Sequence, residues 1–159
     1  MMDTRSAEIV AASIGQYRSV PGGLLPLLHE LQNALGCIPG DAVPEIARAL
    51  QLSRAEVHGV ISFYHDFRSE PAGRHVLQIC RAEACQAMGS RALEAHARKR
   101  LAIDVGGTTA DGAITLQPVY CLGNCACSPS IRLDDEIHAR VDAVRLDELL
   151  AGLDNGAEQ

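Results

Sequence analysis

Two short stretches, CRAEACQAMGS at 80–90 and VYCLGNCACSPS at 119–130, hold five of the chain's six cysteines. Thiols gathered this densely serve few purposes: a disulfide framework, a zinc site, a dithiol redox couple or an iron–sulfur cluster. Spacing separates these. Four residues lie between Cys80 and Cys85, three between Cys121 and Cys125, and 35 between the two pairs. A zinc knuckle sets two sulfurs about one ion across a gap of about two to four residues. The first gap is at the wide edge of that range, and the second pair does not repeat it. A thioredoxin-type couple needs Cys-x-x-Cys, which the sequence lacks. The closer pair Cys125-Ala126-Cys127 is a weak signal by itself. A [2Fe–2S] centre needs four thiolates over a larger object, two per iron, and unequal loops suit it. Spacing thus favours the cluster and leaves zinc and buried structural cysteines open.

Composition narrows the setting. With 47% hydrophobic and 21% charged residues, the chain has the balance of a folded soluble protein. It has no Trp and only 3% aromatics, so its core must come from Leu, Ile, Val and Ala. A net charge of −6 argues against nucleic acid as the main partner, because phosphate binding needs a basic face. The opening MMDTRSAEIVAASIGQYRSV lacks the basic head and apolar run of a secretory signal and carries Asp3 and Glu8. No apolar stretch approaches the roughly 18 residues that span a bilayer. The expected setting is the cytoplasm with no membrane partner, and there stable disulfides are rare.

The elements that must position the thiols fall into two groups. Residues 1 to about 67 read as helices, in the segments SAEIVAASIGQYR, GGLLPLLHELQNALG, GDAVPEIARALQL and SRAEVHGVISFYHDF. In the second, Leu24, Leu28, Leu31 and Leu35 recur at helical spacing, with Gly36 as a C-cap. In the third, Pro44 is tolerable in the first turn. In the fourth, Ser53 and Glu56 have capping-box spacing. RSEPAGR at 68–74 is a turn-rich junction. HVLQIC then reads as a buried strand ending at Cys80, and QAMGSRALEAHARKRL as one helix starting at or just after Cys85. DVGGTTADG is a connecting loop, and AITLQPVYC is a second strand that delivers Cys121. SIRLDDEIHARVD suits a hairpin turning at Asp134-Asp135, DAVRLDELLAGL a terminal helix, and DNGAEQ a frayed end. Both cysteine stretches therefore sit just beyond strand ends, where loops converge.

The residues around the thiols carry more than their spacing does. The pattern C-x4-C…C-L-G-x-C, with GTTADGAITLQPVYCLGNC around the second pair, resembles the thioredoxin-like [2Fe–2S] ferredoxins. That family includes a subunit of NADH:quinone oxidoreductase and relatives in NAD-linked hydrogenases and formate dehydrogenases. The likeness extends through LLPLLHELQNALGCIP and IARALQLSRAEVHGVISFYHDF to nearly the whole chain. It implies an α/β fold, with a helical bundle at 1–70 followed by a thioredoxin-like [2Fe–2S] ferredoxin domain at 71–159. It also implies that Cys80, Cys85, Cys121 and Cys125 ligate the cluster. FYHDFR, CRAEACQAMG and CLGNCACSP look most like the gamma subunit of soluble, NAD-dependent, molybdenum-containing formate dehydrogenase. The implied partners are then a flavin subunit holding FMN and NAD, and a large subunit holding the molybdenum cofactor. The implied role is electron transfer without substrate chemistry of its own. The equivalent subunit of NADH:quinone oxidoreductase or of an NAD-linked hydrogenase is the alternative.

Other residues receive plainer readings. Cys37 reads as a small buried hydrophobe, and Cys127 as a bystander near the cluster. Arg81, opposed at close range by Glu83, is the one charge whose position suggests tuning. Gly123 lets the second loop turn tightly, and Pro129 stands where thioredoxins carry a cis proline. The six histidines are scattered without metal-ligand spacing, and Arg98-Lys99-Arg100 sits at a helix end. IARALQLSRAEVHGVISFY could pass for a helix-turn-helix of a redox-sensing DNA binder. Its second helix, however, offers only Arg54 and His58 to a groove before turning apolar. A structural zinc module is the remaining rival.

Overall fold

The computed structural model describes residues 2–156. The chain forms two compact units, one ending at Pro71 and the next beginning at Ala72.

The first unit is helical. Helix α1, Thr4–Tyr17, starts where the Asp3 carboxylate accepts the Ser6 N–H at 2.7 Å. Helix α2, Leu24–Leu35, ends at Gly36, whose N–H returns to the Gln32 carbonyl. Leu27, Leu28 and Leu31 are fully buried there, and Leu24 and Leu35 pack at the margin of the core. The apolar stripe is therefore centred half a turn from the expected one. The third predicted helix is shorter than its sequence pattern. A 3-10 turn at Gly40–Ala42 leads into α3, Val43–Ala49, and Gln51 turns back with a positive φ. Helix α4, Arg54–Phe63, carries the capping box, with the Glu56 N–H on Ser53 Oγ and the Ser53 N–H on the Glu56 carboxylate. It stops at Phe63 rather than Phe67. Buried Gln32 takes over the hydrogen bonding there, donating to the Asp66 carbonyl and accepting the Arg68 N–H, both at 2.7 Å. Ile46 and Val57 close the core against Leu28 and Leu31.

The second unit is a four-stranded sheet with helices, in the order β2-β1-β3-β4. Strands β1, His75–Cys80, and β2, Ile114–Val119, pair in parallel from His75↔Ile114 to Cys80↔Val119. Strand β3, Ile131–Leu133, runs antiparallel to β1, and β4, Glu136–His138, completes the predicted hairpin. Pro118 lies in β2, an edge strand that can spare a ladder N–H. The helix expected after Cys85 is two helices: α5, Glu83–Ala87, and α6, Ser90–Leu101. Gly89, at φ 98°, breaks them in a conformation that side chains with a Cβ avoid. Cys85 thus lies inside a five-residue helix, and the positive end of the long helix falls at Ser90 instead. The Gly-rich connection 104–112 folds back beside β2, with the Gly106 N–H on the Leu116 carbonyl and the Leu116 N–H on the Gly107 carbonyl. Helix α7 runs Ala143–Gly156, so part of the expected frayed end is helical; residues 157–159 lie outside the described residues. Leu77, Ile79, Leu93, Leu116, Ile131 and Leu146 form this unit's core. Among the described residues no helix is long and apolar enough to cross a membrane.

Candidate metal centre

Parallel pairing of β1 with β2 matches Cys80 with Val119, so both chains leave the sheet side by side. That register brings the two cysteine stretches together. Cys80 ends β1, and Cys121 follows β2 by two residues. The Arg81 N–H donates to the Val119 carbonyl at 2.8 Å, and the Cys80 N–H to the Ser130 carbonyl at 3.2 Å. These bonds lock the start of the first loop between the second loop and the turn before β3.

The thiols form two pairs of unlike exposure. Cys80 and Cys85 are each 2% exposed, while Cys121 and Cys125 are open to solvent. Cys121 Sγ stands 3.6 Å from Cys125 Sγ and accepts the Gly123 N–H at 3.3 Å. That approach needs the left-handed backbone of Gly123, at φ 76°. Cys121 itself takes φ 100°, a conformation rare for a residue with a side chain.

Electrostatics link the pairs. Burial pushes the Cys85 thiol up, but hydrogen bonds from Ser128, from the Ser130 backbone and from Cys80 outweigh it, so the thiol lies below its ordinary value. The Cys125 thiol is raised, first by its hydrogen bond with Cys121 and by the charge there, then by burial and the charges of Cys85 and Cys80. Four thiols that disturb one another in this way would be held together best by a cationic metal centre. Among the described residues no three His, Cys, Asp or Glu groups gather as one metal ion requires. The sulfurs come two and two, as a binuclear centre needs.

The structure revises the reading of Arg81. Its guanidinium is bound bidentately not to Glu83 but to Glu94 of α6, one bond measuring 2.7 Å. The pair is largely buried, and hydrogen bonds to Glu94, then to Tyr120, hold the guanidinium above its ordinary pKa against desolvation. Gln86 Nε2 donates to the Arg81 carbonyl at 2.6 Å, and Arg91 donates to Gln86 Oε1. Sequence reasoning missed Glu94, because no periodicity reveals that α6 turns this carboxylate toward the first loop. Ser128 was likewise missed, an ordinary serine before a proline. The Ser128–Pro129 peptide is cis.

The two remaining cysteines part company. Cys127 closes a 3-10 turn, Cys125–Cys127, its N–H on the Asn124 carbonyl at 3.0 Å. Cys37 is buried in the helical unit, its thiol raised by burial and then by Glu70. A groove of about 540 Å³ opens beside Cys125, with Met88, Ala92, Ala126, Pro129 and Val141 in its lining.

Comparison with known proteins agrees with this geometry. The sequence model of the thioredoxin-like [2Fe-2S] ferredoxin family matches residues 10–154. A subunit of NADH-quinone oxidoreductase from Rhizobium meliloti (strain 1021) is 38% identical over 143 residues, which cover 90% of this chain and 85% of that protein. The subunit of the same name from Escherichia coli (strain K12) is 33% identical over 143 residues, covering 90% and 86%. The crystal structure of an air-oxidized NAD+-reducing [NiFe]-hydrogenase superposes with a TM-score of 0.71 at 28% identity. That match covers 88% of this chain but only 24% of the hydrogenase chain. Four thiols in two pairs, with backbone N–H groups aimed at sulfur, fit a [2Fe–2S] cluster in both number and softness of donors. The chain belongs to the thioredoxin-like [2Fe–2S] ferredoxin family.

Proposed function

We propose that this chain is the electron-transfer subunit of an NAD-linked oxidoreductase, with its cluster held by Cys80, Cys85, Cys121 and Cys125 beside a flavin subunit. The observation that carries the reading is the pairing of the four thiols at the ends of two neighbouring parallel strands. A [2Fe–2S] cluster bound there would take up and release electrons singly. The chain's own residues set the surroundings. Cys80 and Cys85 bind on the buried side, where water is excluded, and Cys121 and Cys125 bind on the exposed side. Electrons are exchanged through the second loop, whose surroundings include exposed Tyr120 and Met88. Gly123 and Ser130 supply N–H groups to sulfur, which favours added negative charge.

Relatives named as NADH-quinone oxidoreductase subunits, and the NAD+-reducing hydrogenase neighbour, support the quinone- or hydrogen-linked setting over the formate-linked one. The formate dehydrogenase reading rests on FYHDFR, CRAEACQAMG and CLGNCACSP alone. FMN and NAD belong to the partner subunit in every version, and a molybdenum cofactor to the large subunit only in the formate-linked one. Isolating the native complex and assaying NAD reduction with formate and with hydrogen, and NADH oxidation with quinone, decides the setting. Ligation is tested by single Cys→Ser variants. Substitution at positions 80, 85, 121 and 125 lowers bound iron, and substitution at 37 and 127 leaves it unchanged. Iron loss in C127S with full retention in C125S would overturn the ligand set.

A further inference from the structure

Ser128 stands between the two cysteine pairs. It is 7% exposed, with Oγ 3.4 Å from Cys85 Sγ and 2.8 Å from the Cys125 carbonyl oxygen. The neighbouring hydroxyl, Ser130 Oγ, is directed elsewhere, toward the carbonyls of Asn124 and Cys127. A serine hydroxyl has one proton and rotates to place it. While Cys85 is a thiol, its S–H donates to Ser128 Oγ, and Ser128 donates to the Cys125 carbonyl. Ligation removes the thiol proton. The Ser128 oxygen would then face an anionic sulfur with a lone pair, unless its own proton turned from the carbonyl to the sulfur. Hydrogen bonds with an ionised acceptor are about twice as strong as neutral ones. The turn is therefore favoured, and favoured more as negative charge on the sulfur grows.

We infer that the Ser128 hydroxyl donates a hydrogen bond to the ligating Cys85 sulfur and raises the midpoint potential of the centre by stabilising its reduced form. The inference rests on Cys85 being a ligand. Ser128 is then a positioning and tuning residue, acting on the cluster through a ligand sulfur. Its contact with the Cys125 carbonyl also ties the second loop to the first pair, so loop geometry and potential share one side chain.

The test compares wild type, S128A and S128T as iron-loaded protein, by redox titration followed by EPR and by pulsed EPR of the reduced state in H2O and D2O. S128A is expected to bind as much iron and sulfide as wild type, to shift to a more negative midpoint, and to lose one exchangeable proton coupling. S128T, which keeps the hydroxyl, restores both. A fully loaded S128A with the wild-type midpoint and couplings overturns the inference alone. A wild type without two irons and two sulfides sinks the cluster reading first, and this inference with it. If S128A does not load, S128G is measured in the same way. Failure of both to load makes Ser128 a folding residue and overturns its role in the potential.

Discussion

At the scale of single residues, charge near the sulfurs is arranged in compensated form. Arg81 follows a proposed ligand directly, and as a lone cation it would favour the reduced centre. Its bidentate partner Glu94 cancels most of that field. Groups that share an ion pair couple, and a double-mutant cycle isolates the coupling. E94Q, leaving the cation unopposed, is expected to make the midpoint more positive, and R81A, leaving the carboxylate, more negative. The double variant R81A/E94Q is expected to return close to wild type. An EPR-monitored titration of all four proteins checks this, and a double variant displaced as far as R81A contradicts it. The four proposed ligands were legible in the sequence because thiols are scarce and their spacing is tied to cluster size. Glu94 and Ser128 were not legible, because carboxylates and hydroxyls are common and only the folded chain reveals which of them meets a sulfur or its neighbour.

At the scale of elements, two local devices have measurable consequences. The first is the capping box that starts α4. S53A is expected to cost about 1 kcal/mol of stability, read by chemical denaturation. Hydrogen bonds from the Ser53 backbone and then its hydroxyl hold the Glu56 carboxyl below its ordinary value of 4.5. A depressed pKa in the folded state means a contribution present above about that value and lost as pH falls through the folded one. E56Q should therefore flatten the acid limb of the stability–pH curve and leave its neutral region less affected. A denaturation series from neutral to acid pH tests the sign. The second device is the break at Gly89. A Cβ there meets nothing within 4 Å, so the cost of G89A lies in the backbone, about 1–2 kcal/mol. G89A is expected to favour one continuous α5–α6 helix, displace Cys85 and reduce iron retention; iron content after gel filtration reads this. The sequence offered the capping box plainly, since both partners lie within one turn. It hid the α5–α6 break, because QAMGSRALEAHARKRL is helix-forming throughout apart from a single glycine. The early end of α4 was hidden for a related reason. Gln32, distant in sequence, supplies the hydrogen bonds that replace the last turn.

At the scale of the whole molecule, each unit has its own core, and their sensitivity can be measured separately. Leu31 is fully buried in the helical unit and Leu77 in the sheet unit. L31A and L77A are each expected to cost about 2–5 kcal/mol. Only L77A, on the strand that carries Cys80, is expected to lower iron retention at temperatures where the protein stays folded. The fold class was readable because strand and helix periodicities change at the junction around residue 70. The register that joins the two cysteine stretches was not, since it depends on β1 and β2 lying side by side in parallel. The central claim is that the two thiol pairs hold one two-iron cluster. The measurement that tests it most directly is iron, sulfide and zinc content of anaerobically purified protein, with an EPR spectrum after dithionite reduction. Two irons and two sulfides per chain with an S = 1/2 signal are the predicted result; one zinc, no iron and a silent spectrum would contradict it.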